Sequence, residues 1–301
     1  MSETILINRL PTRTWNHLGV NETALSWAPA AEADDVRITA AGQIERLDVS
    51  GDGASAERCI EIRAAEGQTV TVVETIRAEA DLLVRTTIDA EQGAQVRLVQ
   101  IQRTGRDSRL RLETRGQCAE NAQIALTQIL LGQGDVYSDG DLALNGDGAG
   151  LKAEIGYLGQ RKQTVDMNLV VTHRGRGTTS EIHAAGALKD SAHKCFRGTI
   201  DFKRGAAGAV GNEQETVLML GEGASNQTVP IILCAEENVE GNHGATIGEL
   251  DEAARFYFES RGISAEAAEN ILARAGIERL ARELPDERAR ETVLAGLEEV
   301  L

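Results

Sequence analysis

Every position between Pro29 and Pro230 is something other than proline, and that gap limits the fold of this chain more than any other feature. Proline lacks a backbone N–H and breaks the ladder of any strand that is paired on both sides. A long proline-free stretch of strand-like sequence therefore implies that nearly every strand has two neighbours. The stretch does read as strands. Val70, Val72 and Glu74 alternate with Thr71, Val73 and Thr75, and Val96, Leu98 and Gln100 alternate with Arg97, Val99 and Ile101. Period-two alternation of this kind argues for strand over helix. Further segments of the same texture fall at 36–39, 45–49, 59–62, 82–88, 109–114, 123–131, 136–144, 151–157, 165–172, 181–188, 196–202, 216–220 and 229–234. Glycines at 51, 53, 67, 93, 105, 116, 132, 134 and 140 are expected to turn the chain between them.

Only 3% of the residues are aromatic, and between Ala28 and Cys195 the only ones are Tyr137 and Tyr157. The core must be filled by Val, Ile, Leu, Ala and Thr. Many short, evenly spaced strands are compatible with a sandwich, a barrel or a solenoid, and no repeat is evident by inspection. Aliphatic layers without proline tip the balance towards stacked coils, each covering the next.

After Gly248 the texture changes. Segments 250–260, 265–275, 277–283 and 287–300 are rich in strong helix formers. Ser264 is suited to cap the second, Gly276 to end it in a left-handed conformation, and Pro285-Asp286 to start the last. Ala289, Val293, Leu297 and Val300 form one apolar stripe. These helices are expected either to cap the end of the strand region or to dock a partner. Residues 1–32 form a lead-in segment with both tryptophans, Trp15 and Trp27, expected as apolar anchors. The organisation is then lead-in 1–32, β core 33–248 and helical domain 249–301.

A net charge of −16 with no basic cluster argues against nucleic acid as a partner. No apolar run is long enough to span a bilayer and the start lacks a secretory signal pattern, so the expected location is cytoplasmic. The sequence has no phosphate-binding GxxxxGK[ST], no GxSxG and no HExxH, so nothing marks it as an ATPase or a hydrolase. Cys59, Cys118, Cys195 and Cys234 are too far apart for a thiolate metal site and are expected to be free, buried thiols. His173, His183 and His193 recur every ten residues, a spacing that in strands scatters them rather than forming a site; His17 lies in the turn-rich lead-in. Asp135, Asp139, Asp141 and Asp147 read as an acidic turn cluster, or, if the chain were a carbohydrate-active β-helix enzyme, as catalytic acids. His243 is different: Gly241, Gly244 and Gly248 surround it in what reads as a tight turn, and imidazole can ligate iron.

Several blocks occur in the order found in the SufB/SufD family of iron–sulfur cluster assembly proteins. They are Gln100-Ile-Gln102 with Gly105, His173 with Thr179-Ser180, Phe196-Arg-Gly-Thr-Ile200 with Ala206, and Thr216–Glu222 with Pro230-Ile-Ile. Val239–Gly248, similar to V-x-x-x-H-G-A-T-x-G, and Phe256–Ile263 with Ala267–Leu272, similar to FYxxSRGI…A…IL, complete the set. The resemblance implies a right-handed parallel β-helix core with helical ends, and a non-enzymatic subunit of a cytoplasmic complex. The implied partners are a SufC-type ABC ATPase, gripped by C-terminal helices, and a SufB-like paralogue or a second copy. Phe256, Tyr257 and Arg261 become candidate partner-binding residues, and His243 a candidate cluster ligand or interface residue. No cofactor is implied for this chain alone; a nascent iron–sulfur cluster is handled in the complex. Ala224 stands where SufB carries cysteine, and Gly244 where SufB carries glutamate, which favours the SufD branch. Gly241 stands where SufD proteins often have cysteine, leaving His243 as the only matched candidate ligand.

Overall fold

The computed structural model describes residues 2–28, 33–39, 41–51 and 55–301; the expected turn at Gly53 lies outside them. Two short strands, β1 (Glu3–Ile7) and β2 (Thr23–Trp27), pair antiparallel. The chain then lays down β3 (Ala33–Ile38), β4 (Ile44–Gly51), β5 (Ser55–Ala64), β6 (Thr69–Ala78), β7 (Asp81–Ala90) and β8 (Gln95–Gln102). It continues with β9 (Arg109–Cys118), β10 (Gln123–Leu130), β11 (Asp135–Leu144), β12 (Gly150–Gly159) and β13 (Thr164–His173). The last strands are β14 (Thr179–Leu188), β15 (His193–Phe202), β16 (Ala209–Met219), β17 (Ser225–Cys234) and β18 (Val239–Glu249). Strands β4 to β18 with even numbers form one parallel sheet and β3 to β17 with odd numbers form the other, each eight-stranded and each in strict sequence order. The molecule is thus a parallel β-solenoid. Sandwich and barrel are excluded because every strand from β3 to β18 skips one neighbour in sequence to pair with the next but one.

The repeat that inspection of the sequence misses is carried by one turn position. Gly67, Gly93, Asn121, Gly148, Gly177 and Gly208 all have φ between 55° and 79°, and they follow one another at intervals of 26, 28, 27, 29 and 31 residues. Glycine or asparagine is needed there because a left-handed backbone strains other side chains. Each of these N–H groups donates to a carbonyl one coil further on, from Gly67 to Gln92 at 2.9 Å through to Gly208 to Asn238 at 2.7 Å. Not every glycine expected in a turn is in one. Gly116 and Gly140 lie inside β9 and β11, where a Cβ would come within 2.6 Å of Leu142 and of Leu169.

In-register pairing stacks like on like inside the solenoid. Val72, Leu98, Leu126, Ala153 and Ile182 form one inward row across β6 to β14. All five are buried. Tyr157 is accommodated because its neighbour up the stack is Gly186, whose missing Cβ would sit 2.4 Å from the tyrosine ring. Pro230 falls in β17, the last strand of its sheet, where only one side is paired.

The helices are α1 (Glu252–Glu259), α2 (Ala265–Arg282) and α3 (Glu287–Val300). Ser264 and Asp286 cap α2 and α3 as expected, accepting from the N–H of Ala267 at 3.2 Å and of Ala289 at 2.7 Å. Two expectations are corrected. Segments 265–275 and 277–283 are one continuous helix, and Gly276 lies within it, because burying Ile277, Leu280 and Ala281 outweighs the roughly 1 kcal/mol that an interior glycine costs. The helices also do not plug the end of the coil stack. Ile277, Leu280, Val293 and Leu297 cluster with Val99 and Ile129 on the outer face of the even-numbered sheet.

The other sheet is covered by the lead-in. Trp27 is buried as expected, with Leu25 and Ile7 against Leu83 and Tyr137, and with Arg109 and Arg111 over its ring at 5.5 and 5.1 Å. Trp15, also expected as an anchor, is 51% exposed. Buried Arg197 ties the segment down, donating to the Val20 carbonyl at 2.6 Å and to Asp166 at 2.6 Å; Asp166 also accepts from Thr23 at 2.6 Å.

One inward row is polar. Glu74 accepts from Gln100 at 2.8 Å and from Thr86 at 3.2 Å, Gln128 donates to Gln100 at 2.7 Å, and Ser138 donates to Gln128 at 3.1 Å. Burial pushes the Glu74 carboxyl up from 4.5 to about 7, opposed by the hydrogen bonds from Gln100 and Thr86. The sign follows. Below pH 4.5 both folded and unfolded chains are protonated and there is no cost. As pH rises to about 7 the unfolded chain gives up the proton first, so the folded state loses stability, by as much as about 3 kcal/mol. Glu74→Gln is expected to remove this slope and to melt higher than wild type at pH 8, with the difference shrinking towards pH 5. Melting curves that run parallel for the two proteins across that range would show that Glu74 is not the titrating group.

Candidate functional site at the open end of the solenoid

The last coil is made by β17 and β18, and nothing among the described residues pairs with the far edge of either. The segment around His243, expected as a tight turn, is the eleven-residue strand β18. None of Gly241, Gly244 and Gly248 has positive φ. Glycine serves a different purpose at Gly241, where a Cβ would lie 3.0 Å from the Phe202 ring and 3.2 Å from Ile232. At Gly244 and Gly248 the space is open.

His243 is exposed and stands in register with Glu213 of β16. It therefore continues the inward row of Val72, Leu98, Leu126, Ala153 and Ile182, which changes from aliphatic to Glu213 and then His243 as the stack ends. Glu213 is 4% exposed, and its Oε1 has no hydrogen-bond partner among the described residues. Burial, helped by repulsion from Glu215, pushes its carboxyl up to about 7. A hydrophobic solenoid thus ends in ionisable groups.

Just beneath lies a second buried charge. The Lys194 ammonium is wholly enclosed and bonded to Glu215, which also accepts from Thr228 at 2.6 Å and Tyr157 at 3.3 Å. Burial lowers the lysine's pKa, and Glu215 opposes that shift.

The other sequence candidates disperse. His173 is buried between Thr178 at 2.8 Å and Ser180 at 2.9 Å, and burial pushes its pKa down to about 4, so it is a neutral structural ring. His183 lies on the outer face, 3.1 Å from Glu154, and His193 begins β15, so the three share no site. His17 is exposed in the lead-in. No group of three His, Cys, Asp or Glu is placed to hold a metal ion among the described residues.

Asp139 and Asp141 are on strand β11 rather than in a turn. Asp139 is engaged by Arg115 and by Asn168, the latter at 2.7 Å, which leaves it poorly suited to acid chemistry on a glycan. Asp135 and Asp147 accept from the N–H of Thr164 and Arg176, both at 2.8 Å, and brace neighbouring coils.

The cysteines were expected to be buried, and two are. Burial pushes Cys118 up to about 12 and Cys195 up to about 11. Cys59 is half-buried, and Cys234 is exposed at the end of β17, on the same coil as His243. Gly241 faces Ile232 across that coil, so Cys234 and His243 are about four residues apart along the strands, roughly 13 Å. They do not converge. Beyond β18, Phe256 and Tyr257 on α1 are 72% and 53% exposed, and Arg261 stacks 3.9 Å over the Tyr257 ring. The sequence pattern of inward and outward positions could have flagged Lys194, which falls between Ala192 and Phe196 on inward positions, and Glu213 and Glu215, which fall on successive inward positions before Val217.

Removing Lys194 alone would strand Glu215 in the core, a change that typically costs about 3–5 kcal/mol. Lys194→Met should lose stability of that order in urea unfolding, and adding Glu215→Leu should recover most of it. A double variant no more stable than the single would show that the pair does not act as a unit.

The SufBD core domain of the SUF system for FeS cluster assembly matches residues 46–276. SufD of Bacillus subtilis strain 168 is 31% identical over 169 residues, 56% of this chain and 39% of the relative. SufBD family proteins of Staphylococcus saprophyticus and Staphylococcus epidermidis RP62A are 29% and 28% identical over 252 residues, each covering 83% of this chain and 52% of the relative. The chain thus spans about half the length, or less, of these curated relatives. With a family match across most of the solenoid and with SufD among its named relatives, this chain belongs to the SufB/SufD family of iron–sulfur cluster assembly proteins and is most like SufD.

Proposed function

We propose that this chain is a SufD-like, non-enzymatic subunit of a cytoplasmic SufBCD-type complex. In this reading a SufB-like solenoid joins the open end, a SufC-type ATPase binds α1 and the turn after it, and a nascent iron–sulfur cluster is the cargo formed at the joint. The observation that carries it is the pair of unpaired strand edges on the coil that bears His243. Unpaired N–H and C=O groups along β17 and β18 are a template for another strand-bearing subunit. An imidazole on that coil supplies a nitrogen donor for iron without any covalent chemistry by the protein.

Phe256, Tyr257 and Arg261 suit a separate partner. An aromatic pair with a stacked guanidinium is the type of surface that anchors protein interfaces. Closure of two ATPase subunits on the C-terminal helices of the two solenoids would tilt them and open the joint, a rigid-body switch.

The His243→Ala variant should keep the wild-type melting temperature and still co-purify with both partners, yet the complex should carry several-fold less iron and sulfide after reconstitution. Wild-type cluster loading by that complex would remove His243 from the site. Replacing Phe256 and Tyr257 with Ala and Arg261 with Glu should abolish capture of the ATPase while leaving capture of the SufB-like subunit intact. Loss of both partners together, or of neither, would contradict the division between edge and helix.

A further inference from the structure

The lead-in runs along the solenoid axis, and its tip stops at the open end. Trp27 packs by Arg109 and Arg111 on β9, Thr23 bonds Asp166 on β13, Val20 receives Arg197 of β15, and Leu10 and Val20 pack on Val229 of β17. Going from β9 to β17 crosses four strand spacings, about 19 Å, which the seven residues from Trp27 back to Val20 can just span. Residues 11–19 are therefore delivered to the terminal edge. They form an ordered loop: Thr14 N–H donates to Asn21 at 2.6 Å, Asn21 donates to Asn16 at 3.0 Å, and Asn16–Leu18 make a 3₁₀ turn. On this tip Trp15 and Leu18 are each 51% exposed, and Ile247 of β18 on the same end is 57% exposed. Large apolar side chains held in water by an ordered loop beside unpaired strands mark a contact surface.

Charge says what the contact is. From Arg9 to Asn21 the tip has two arginines and a histidine and no acidic residue; Arg9 and Arg13 share the single Glu22 at its base. From residue 205 to 254 there is no Lys or Arg, and the last coil exposes Glu237 and Glu240 around His243. The tip of one molecule is thus complementary to the end coil of another. Across a two-fold axis the pairing is made twice.

We propose that the Trp15–Leu18 tip is a clasp that reaches over the joint onto the terminal coil of a second copy of this chain docked edge to edge at β17 and β18. The inference rests on the edge-pairing reading above and adds the residues that hold the joint closed. The arginines set the approach, and the tryptophan and leucine are buried on closure.

Sedimentation velocity of the purified chain over a concentration series, with acrylamide quenching of tryptophan on the same samples, tests it. Trp27 is buried, so Trp15 dominates the quenching. Wild type should dimerise, and quenching should fall as the dimer forms. Trp15→Ser with Leu18→Ser should weaken dimerisation by about tenfold or more, and Arg13→Glu should weaken it less, with both variants melting like wild type. A dimer in which Trp15 stays quenchable, or one of equal affinity in the double variant, overturns the clasp while edge pairing stands. A wild type that stays monomeric yet captures the SufB-like subunit overturns the second copy as occupant, and edge pairing again stands. A wild type that neither dimerises nor captures that subunit removes both readings.

Discussion

The backbone ladder between coils is what the rest of this molecule depends on. Each strand in the middle of a sheet has its N–H and C=O groups satisfied by the strands one coil below and one coil above, in register. Register stacks identical positions, so one inward choice is repeated along the axis, and a single bulky residue such as Tyr157 requires a glycine above it. The same ladder cannot satisfy its own ends. The coil that ends the stack must carry unpaired edges, and there the inward row that runs through Ile182 changes to Glu213 and then to exposed His243, beside the buried Lys194–Glu215 pair. Architecture and candidate site are therefore two consequences of one repeating interaction.

Both outer faces are partly covered, although outward side chains such as Arg85 on β7 and Lys152 on β12 stay exposed. On the even-numbered sheet α2 and α3 bury Val99 and Ile129; on the other the lead-in buries Leu83 and Tyr137. The lead-in is held by a buried ion pair, Arg197 with Asp166, satisfied further by Thr23, Asn8 and the Val20 carbonyl. Such a pair fixes position more than it adds stability. It sets the tip at the terminal edge rather than elsewhere on the sheet.

How far the sequence carries the argument depends on which force decides each element. The strands were legible because burial on one face imposes period two, as in Val70, Val72 and Glu74. The coil repeat was not, because it resides in one left-handed turn position filled by Gly or Asn at intervals that vary from 26 to 31 residues. The segment 239–249 read as a turn because it has three glycines and little apolar content. It is a strand because pairing with β16 decides its conformation, with no inner cover demanding apolar residues. Helix α2 was split at Gly276 because local propensity does not register the apolar surface waiting for Ile277 and Leu280. Trp15 and Cys234 were misplaced for a related reason: composition favours burial for both, and only topology puts them at the uncovered end.

Hydrogen–deuterium exchange of the chain alone and with a second family solenoid bound tests the central claim most directly. Amides of β17 and β18 should exchange fast in the free chain and become protected on binding, while those of β9 to β13 stay protected throughout. Protection that appears instead at β3 and β4, or only along the helices, would contradict a joint at the His243 end.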